Sequence, residues 1–219
     1  MIPVTPAPPP ADFDDRVKNP GIDAIAELIG APTSTVRRGR KRKKVANRPA
    51  DIPSDKFPPL WREVLPDMLD LYHRRCAYLA LYIEHSTGSP SVDHVIPKSK
   101  DWDKVYEWSN YRLVCALVNA RKGNLEGVLD PFTIVDGLFA MEFVEFQVKL
   151  GDAAVGGFEA QVEDTIEKLG LNLPDCCKAR REYVENYEAE LIKLVYLERR
   201  APFIARELRR QGFLLPGDV

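Results

Sequence analysis

The chain has 219 residues, 45% hydrophobic and 29% charged, with a formal net charge of −2 at neutral pH. That length supports one sizeable core, and no apolar run approaches the ~20 residues a membrane-spanning helix needs, so a soluble globular protein is expected. Four cysteines (Cys76, Cys115, Cys176, Cys177) make no dense disulfide framework, and adjacent Cys176 and Cys177 are poor partners for each other; a reduced, cytosolic setting follows.

The opening MIPVTPAPPP lacks the basic and apolar regions of a secretion signal. Residues 1 to 20, rich in Pro and Asp, are expected to lack fixed structure. GIDAIAELIG (21–30) reads as a short amphipathic helix with a glycine at each end. Arg37, Arg38, Arg40, Lys41, Arg42, Lys43, Lys44 and Arg48 then form a basic arm without an acidic residue. Setting these eight aside leaves 23 Lys and Arg against 33 Asp and Glu, so the body carries about −10. A cationic arm on an acidic body suggests a polyanion near the arm, although a solvated linker has the same composition. ADIPSDKFPP (50–59) is a second spacer, and a folded unit should begin near Leu60.

Leu60, Val64, Met68, Leu71 and Tyr72 fall at helical spacing, with Pro66 as an irregularity. YLALYIEH (78–85), the turn STGSP and SVDHVI together predict a β-hairpin. A polar loop (98–109) carrying Trp102, Tyr106 and Trp108 follows; such aromatics are more often local core than base-stacking platforms. NYRLVCALVNARKG predicts a helix from Asn110 to a stop at Gly123. FTIVDGLFAMEFVEFQVKL predicts a second hairpin turning at Asp136-Gly137, with one strand apolar on both faces. The last third predicts helices over 157–169, from Pro174 to about Arg199, and after Pro202 to Gly212.

Asp93 and His94 stand side by side within SVDHVIPKS, at the end of a short β-patterned run before Pro97, in a chain with only three histidines. A neutral imidazole, with an ordinary pKa near ~6.5, can take a proton from water at neutral pH. The carboxylate and amide oxygens of Asp93 and Asn119 suit a hard divalent cation. Adjacent strand residues point to opposite faces, so Asp93 and His94 converge only where the strand ends, which Pro97 favours. In the predicted helix Cys115, Asn119 and Lys122 share a face.

The strings CAYLALYIEH, SVDHVIPKS, EWSNYRLVC and NARKG, in this order and with these gaps, resemble the HNH endonuclease superfamily and its ββα-metal fold, over about residues 75 to 124. The resemblance implies an α+β protein: a flexible Pro-rich N-terminal region (1–55), an HNH module (56–125), and a β-hairpin with C-terminal helices (126–219). It implies metal-dependent hydrolysis of DNA, with His94 as base and Asp93 and Asn119 on one Mg²⁺ or Mn²⁺, Ni²⁺ being a further choice. Asn110 would brace the loop that orients His94. Lys122 would contact phosphate, assisted by Lys98 and Arg121, although cations at a helix end also simply favour its dipole. Attack on phosphorus does not depend on the sugar, so RNA stays open as a substrate, and a non-catalytic subunit with a remnant HNH fold is the competing reading. The build is also similar to nuclease effectors of bacterial anti-phage defence, which implies a cytoplasmic protein acting beside an ATPase or another sensor. An acidic body binds DNA poorly unaided, which suits a delivering partner or a homo-oligomer that pools several basic arms.

Many relatives in that superfamily carry two C-x-x-C pairs on a structural zinc. Here the positions read Cys76-Ala-Tyr-Leu79 and Cys115-Ala-Leu-Val118, and His73 and His85 lack the spacing to complete a site. No structural zinc is expected; Leu79 and Val118 should pack with the two thiols as an apolar plug.

Overall fold

Phe13, Val17, Gly21, Ala24 and Leu28 recur every three or four residues, and all are buried. In the computed structural model, which describes residues 1–35 and 41–218, this stripe drives a π-helical turn (Asp14–Lys18) straight into helix α1 (Asn19–Ile29), which Gly30 closes in a left-handed conformation. The expectation of an unstructured start therefore fails. The Phe13 ring packs edge-on against Trp108 and Tyr111, and the Trp108 indole donates to the Ala7 carbonyl at 2.8 Å. Gly21 is required by contact: a Cβ there would stand 2.3 Å from the Tyr106 ring.

Pro66 divides the next helical stretch. A 3-10 segment (Leu60–Val64) precedes α2 (Leu65–Leu71), with the proline in the first turn, where its missing N–H costs nothing.

The expected hairpin between 78–85 and 91–96 does not form. Residues 78–85 run from a turn into irregular chain, and the contact there with strand character is one isolated bridge, Arg75 to Tyr82. Strand β1 (Pro90–His94) pairs instead with β2 (Tyr111–Cys115), antiparallel, with Asp93 opposite Arg112 and His94 opposite Tyr111. The segment predicted as one helix from Asn110 is thus strand first, and only Ala116–Lys122 is helical (α3). Tyr111 to Val114 are all buried, Arg112 among them with its guanidinium paired to Asp130, so β2 is covered on both faces, and a buried run of that length does not distinguish strand from helix.

The second sheet pairs β3 (Phe139–Met141) with β4 (Val148–Leu150). Its turn lies at 142–147, where the Glu142 carboxylate accepts the N–H groups of Val144, Glu145 and Gln147, and not at Asp136-Gly137, which precedes β3. All three β3 residues are buried, in keeping with a strand covered on both faces. Helices α4 (Glu159–Leu169), α5 (Pro174–Glu188), α6 (Leu194–Arg200) and α7 (Pro202–Gln211) complete the chain. The predicted 174–199 helix is broken at 189–193, where Glu190 turns left-handed (φ 57°).

The fold is α+β, with two small sheets and a single hydrophobic cluster that draws on residues from Met1 to Leu208. No helix among the described residues is long and apolar enough to cross a membrane. Phe13→Ala should lower stability by about 3 kcal/mol, as for other large buried aromatics cut to alanine, read as a reduced urea midpoint; an unchanged midpoint would mean that the N-terminal segment is not docked.

Candidate active site

Polar side chains at the end of β1 and the start of β2 are almost fully enclosed, among them Asp93, His94 and Asn110. A cavity of about 550 Å³ opens beside the first two, walled also by Trp61, Ser91, Lys98 and Asn119.

His94 reaches away from α3. Its Nε2 stands 3.0 Å from the Val105 carbonyl, an acceptor only, so Nε2 carries the proton and Nδ1 is left with a free lone pair. Among the described residues no group bonds Nδ1. The Trp61 and Tyr111 rings hold the imidazole edge-on, with centroids at 4.7 and 5.2 Å. Burial, with the Lys98 charge nearby, brings the His94 pKa down to about 3, so the ring is neutral across the physiological range.

Asn110 works on the loop that delivers Val105. Its Oδ1 accepts the Ile96 N–H at 2.8 Å, and its Nδ2 donates to the Ile96 and Lys104 carbonyls, both at 3.0 Å. Tyr111 adds a hydroxyl bond to the same Val105 carbonyl at 2.9 Å. Asn110 ends a short 3-10 turn before β2 and does not open a helix.

Asp93 reaches toward α3. Its Oδ1 meets the Lys122 ammonium at 3.0 Å, and its Oδ2 accepts the Tyr78 hydroxyl at 2.7 Å. Burial pushes its carboxyl above the usual range, against the pull of Lys122 and Tyr78. Ser91, two residues earlier on the same strand, accepts the Asn119 amide at 2.7 Å, while the Asn119 Oδ1 has no partner among the described residues.

Two expected phosphate contacts are overturned. Lys122 is only 1% exposed, and besides Asp93 its ammonium donates to the carbonyls of His94 (2.8 Å) and Val95 (3.5 Å). All three N–H groups are thereby engaged inside the protein. Nor does it share a helix face with Cys115, which ends β2. Arg121 points toward the C-terminal helices, donating to the Gly170 carbonyl and the Cys176 sulfur. Lys98 does line the cavity, with its ammonium 4.3 Å from the Trp61 ring centroid, and Arg62 stands exposed at the same wall.

Of the basic arm, Arg37, Arg38 and Arg40 lie outside the described residues. Arg42 pairs with Glu27 of α1 at 2.8 Å, and Lys41, Lys43 and Lys44 are exposed. At the cysteine positions, Cys76 and Val118 are buried, Leu79 and Cys115 pack against the same core, and the Cys115 N–H lies 3.4 Å from the Cys76 sulfur.

The site residues that sequence reasoning missed are Trp61, Arg62, Tyr78 and Ser91. Ser91 was within reach, because the two-residue strand period puts it on the face of Asp93. The others arrive from segments whose path no local pattern reveals.

A scan against protein-family models gives no match to this chain, and a search of curated proteins returns no relative.

Oxygen ligands suit a hard ion. Each Asp93 oxygen accepts one described hydrogen bond and keeps a lone pair, and the Asn119 Oδ1 is uncommitted, so these residues fit Mg²⁺ or Mn²⁺, with the Lys122 ammonium competing for Oδ1.

Two outcomes follow for stability. Histidine titrates near 6.5 in an unfolded chain, but His94 does so near 3 in the fold, so between these values the unfolded chain binds more protons. Its contribution is complete above about pH 6.5 and drains away as pH falls toward 3, with a slope approaching about 1.4 kcal/mol per unit. His94→Phe should flatten this loss between about pH 6 and 5, before ordinary carboxylates titrate, in paired urea titrations. Lys122→Met strands a buried carboxylate and should cost about 3–5 kcal/mol, part of which Asp93→Asn in the same chain restores.

Proposed function

We propose that the protein is a metal-dependent endonuclease of the HNH type, acting on DNA. One observation carries the reading: His94 is neutral, locked in one tautomer by Val105 with Nδ1 unpartnered among the described residues, and it lines the same cavity as Asp93 and Asn119. The order β1, β2, α3 supports it, since strand, long loop, strand and helix is the element order of a ββα module.

In this reading His94 Nδ1 accepts the proton of the attacking water, and the Val105 carbonyl steadies the imidazolium that forms. Asn110 keeps that carbonyl in place. Asp93 and Asn119 would hold the divalent ion, which when bound relieves charge on the phosphate and assists the departing oxygen. Lys98 and Arg62, not Lys122 or Arg121, are the cations placed to attract the backbone. The enclosing Trp61 and Tyr111 rings keep the imidazole unprotonated at neutral pH, and the same burial weakens it as a base.

A second reading, a non-catalytic subunit that binds nucleic acid or a protein partner, draws on the Lys122–Asp93 pair, because the carboxylate already has a cation of the chain's own. Incubation of plasmid DNA, and in parallel single-stranded RNA, with Mg²⁺ or Mn²⁺ separates the two. His94→Ala should slow cleavage by about 10²–10⁴-fold, the usual worth of a general base, while the Asp93 and Lys122 bonds stay intact. Equal cutting by both proteins would refute the role given to His94, and cutting confined to RNA would change the substrate.

A further inference from the structure

A second cavity, of about 290 Å³, lies between the N-terminal segment and the body of the protein, away from His94. Ile2, Val4, Leu71, Leu113 and Phe132 give it apolar walls, and Arg75 is the Lys or Arg that lines it. Its volume is at the lower end of the range for small-molecule sites.

Arg75 is unusual among the described arginines. Its Nε is buried with no hydrogen-bond partner, and its guanidinium makes no ion pair or hydrogen bond with any described group. Arg16 and Arg180 also have an unpartnered Nε, but their other N–H groups are taken, by Asp12 and Asp67 and by the carbonyls of Phe146 and Leu171. Burial alone lowers the Arg75 pKa, with no carboxylate near enough to offset it. Of the donors in this guanidinium fork, Nε is the one shut off from water, and a buried donor without an acceptor is costly to keep. The chain enters Arg75 through two successive left-handed residues, His73 (φ 51°) and Arg74 (φ 56°), a strained path held by Arg74 bonds to the Ile83 and Glu84 carbonyls. The Tyr72 hydroxyl, also on the wall, accepts the Ala7 N–H and keeps its own proton to donate.

We propose that this cavity binds a small organic monocarboxylate, with its carboxylate on the Arg75 guanidinium and its apolar body against Leu113 and Phe132. One cation matches one negative charge, so a phosphate dianion or a polyanion would be left under-neutralised, and a neutral apolar molecule would leave the fork unpaired. The inference does not depend on the nuclease reading, because none of these residues belongs to the His94 cavity.

Calorimetric titration of the full chain with hexanoate and benzoate, alongside hexan-1-ol and inorganic phosphate, tests it. At least one carboxylate should bind saturably, with Kd at least about ten-fold weaker for Arg75→Met, the loss expected for a charge-assisted hydrogen bond, and partly recovered in Arg75→Lys. Hexan-1-ol and phosphate should bind neither saturably nor competitively. Absence of saturable carboxylate binding by the unmodified protein, equal binding by Arg75→Met, or phosphate binding as tight as hexanoate would each overturn the assignment. Should Arg75→Met fail to fold, the hexanoate-to-hexanol comparison on the unmodified protein and the Arg75→Lys Kd decide the matter alone.

Discussion

The Lys122 ammonium is the tie on which the centre of the molecule depends. It projects from the last turn of α3 and engages the Asp93 carboxylate and the carbonyls of His94 and Val95, at the point where β1 ends. A buried ammonium tolerates its surroundings only when its donors are met, and here three acceptors from one short stretch meet them. Helix and strand are thus fastened by charge as well as by packing. That bond sets the angle at which α3 presents Asn119 to Ser91, and it fixes the backbone from which the His94 side chain leaves.

The two neighbouring residues at this junction answer to different parts of the protein. Asp93 is held by Tyr78 and α3, while His94 is held by Trp61, Tyr111 and the loop that Asn110 braces. Strand alternation separates them, and the cavity beside the strand end collects both again. A carboxylate and an imidazole so arranged keep their charges distinct: the carboxylate is paired with a cation, and the imidazole is sheltered from protons by aromatic rings.

The gathering of Asp93, His94 and Asn119 beside one cavity was more legible in the sequence than how their segments connect. Asp93, His94, Asn110 and Asn119 stand out because the strings that carry them resemble the HNH superfamily in order and spacing. The burial of Lys122 is not legible because helical spacing reports which side a residue takes, not how deep it lies, and a lysine near a helix end is ordinarily solvated. The partner of β1 was misjudged because a turn-rich string after YLALYIEH imitates a hairpin, whereas the true pairing spans the Trp-rich loop. At the N-terminus, proline and aspartate dominate the composition and hide the apolar stripe of Phe13, Val17 and Leu28, which only a shared core makes meaningful. In each case the missing information is a contact between distant segments.

The bond from the Trp108 indole to the Ala7 carbonyl bridges 101 positions of the chain. Trp108 opens the short turn that ends in Asn110, so the loop bearing Val105 is backed by residues far upstream in the chain. Closing so wide a span is slow compared with forming local turns and helices. A folding polypeptide therefore carries its imidazole for some time before the carbonyl that orients it is seated, and the setting of residue 94 is completed only when two widely separated stretches meet.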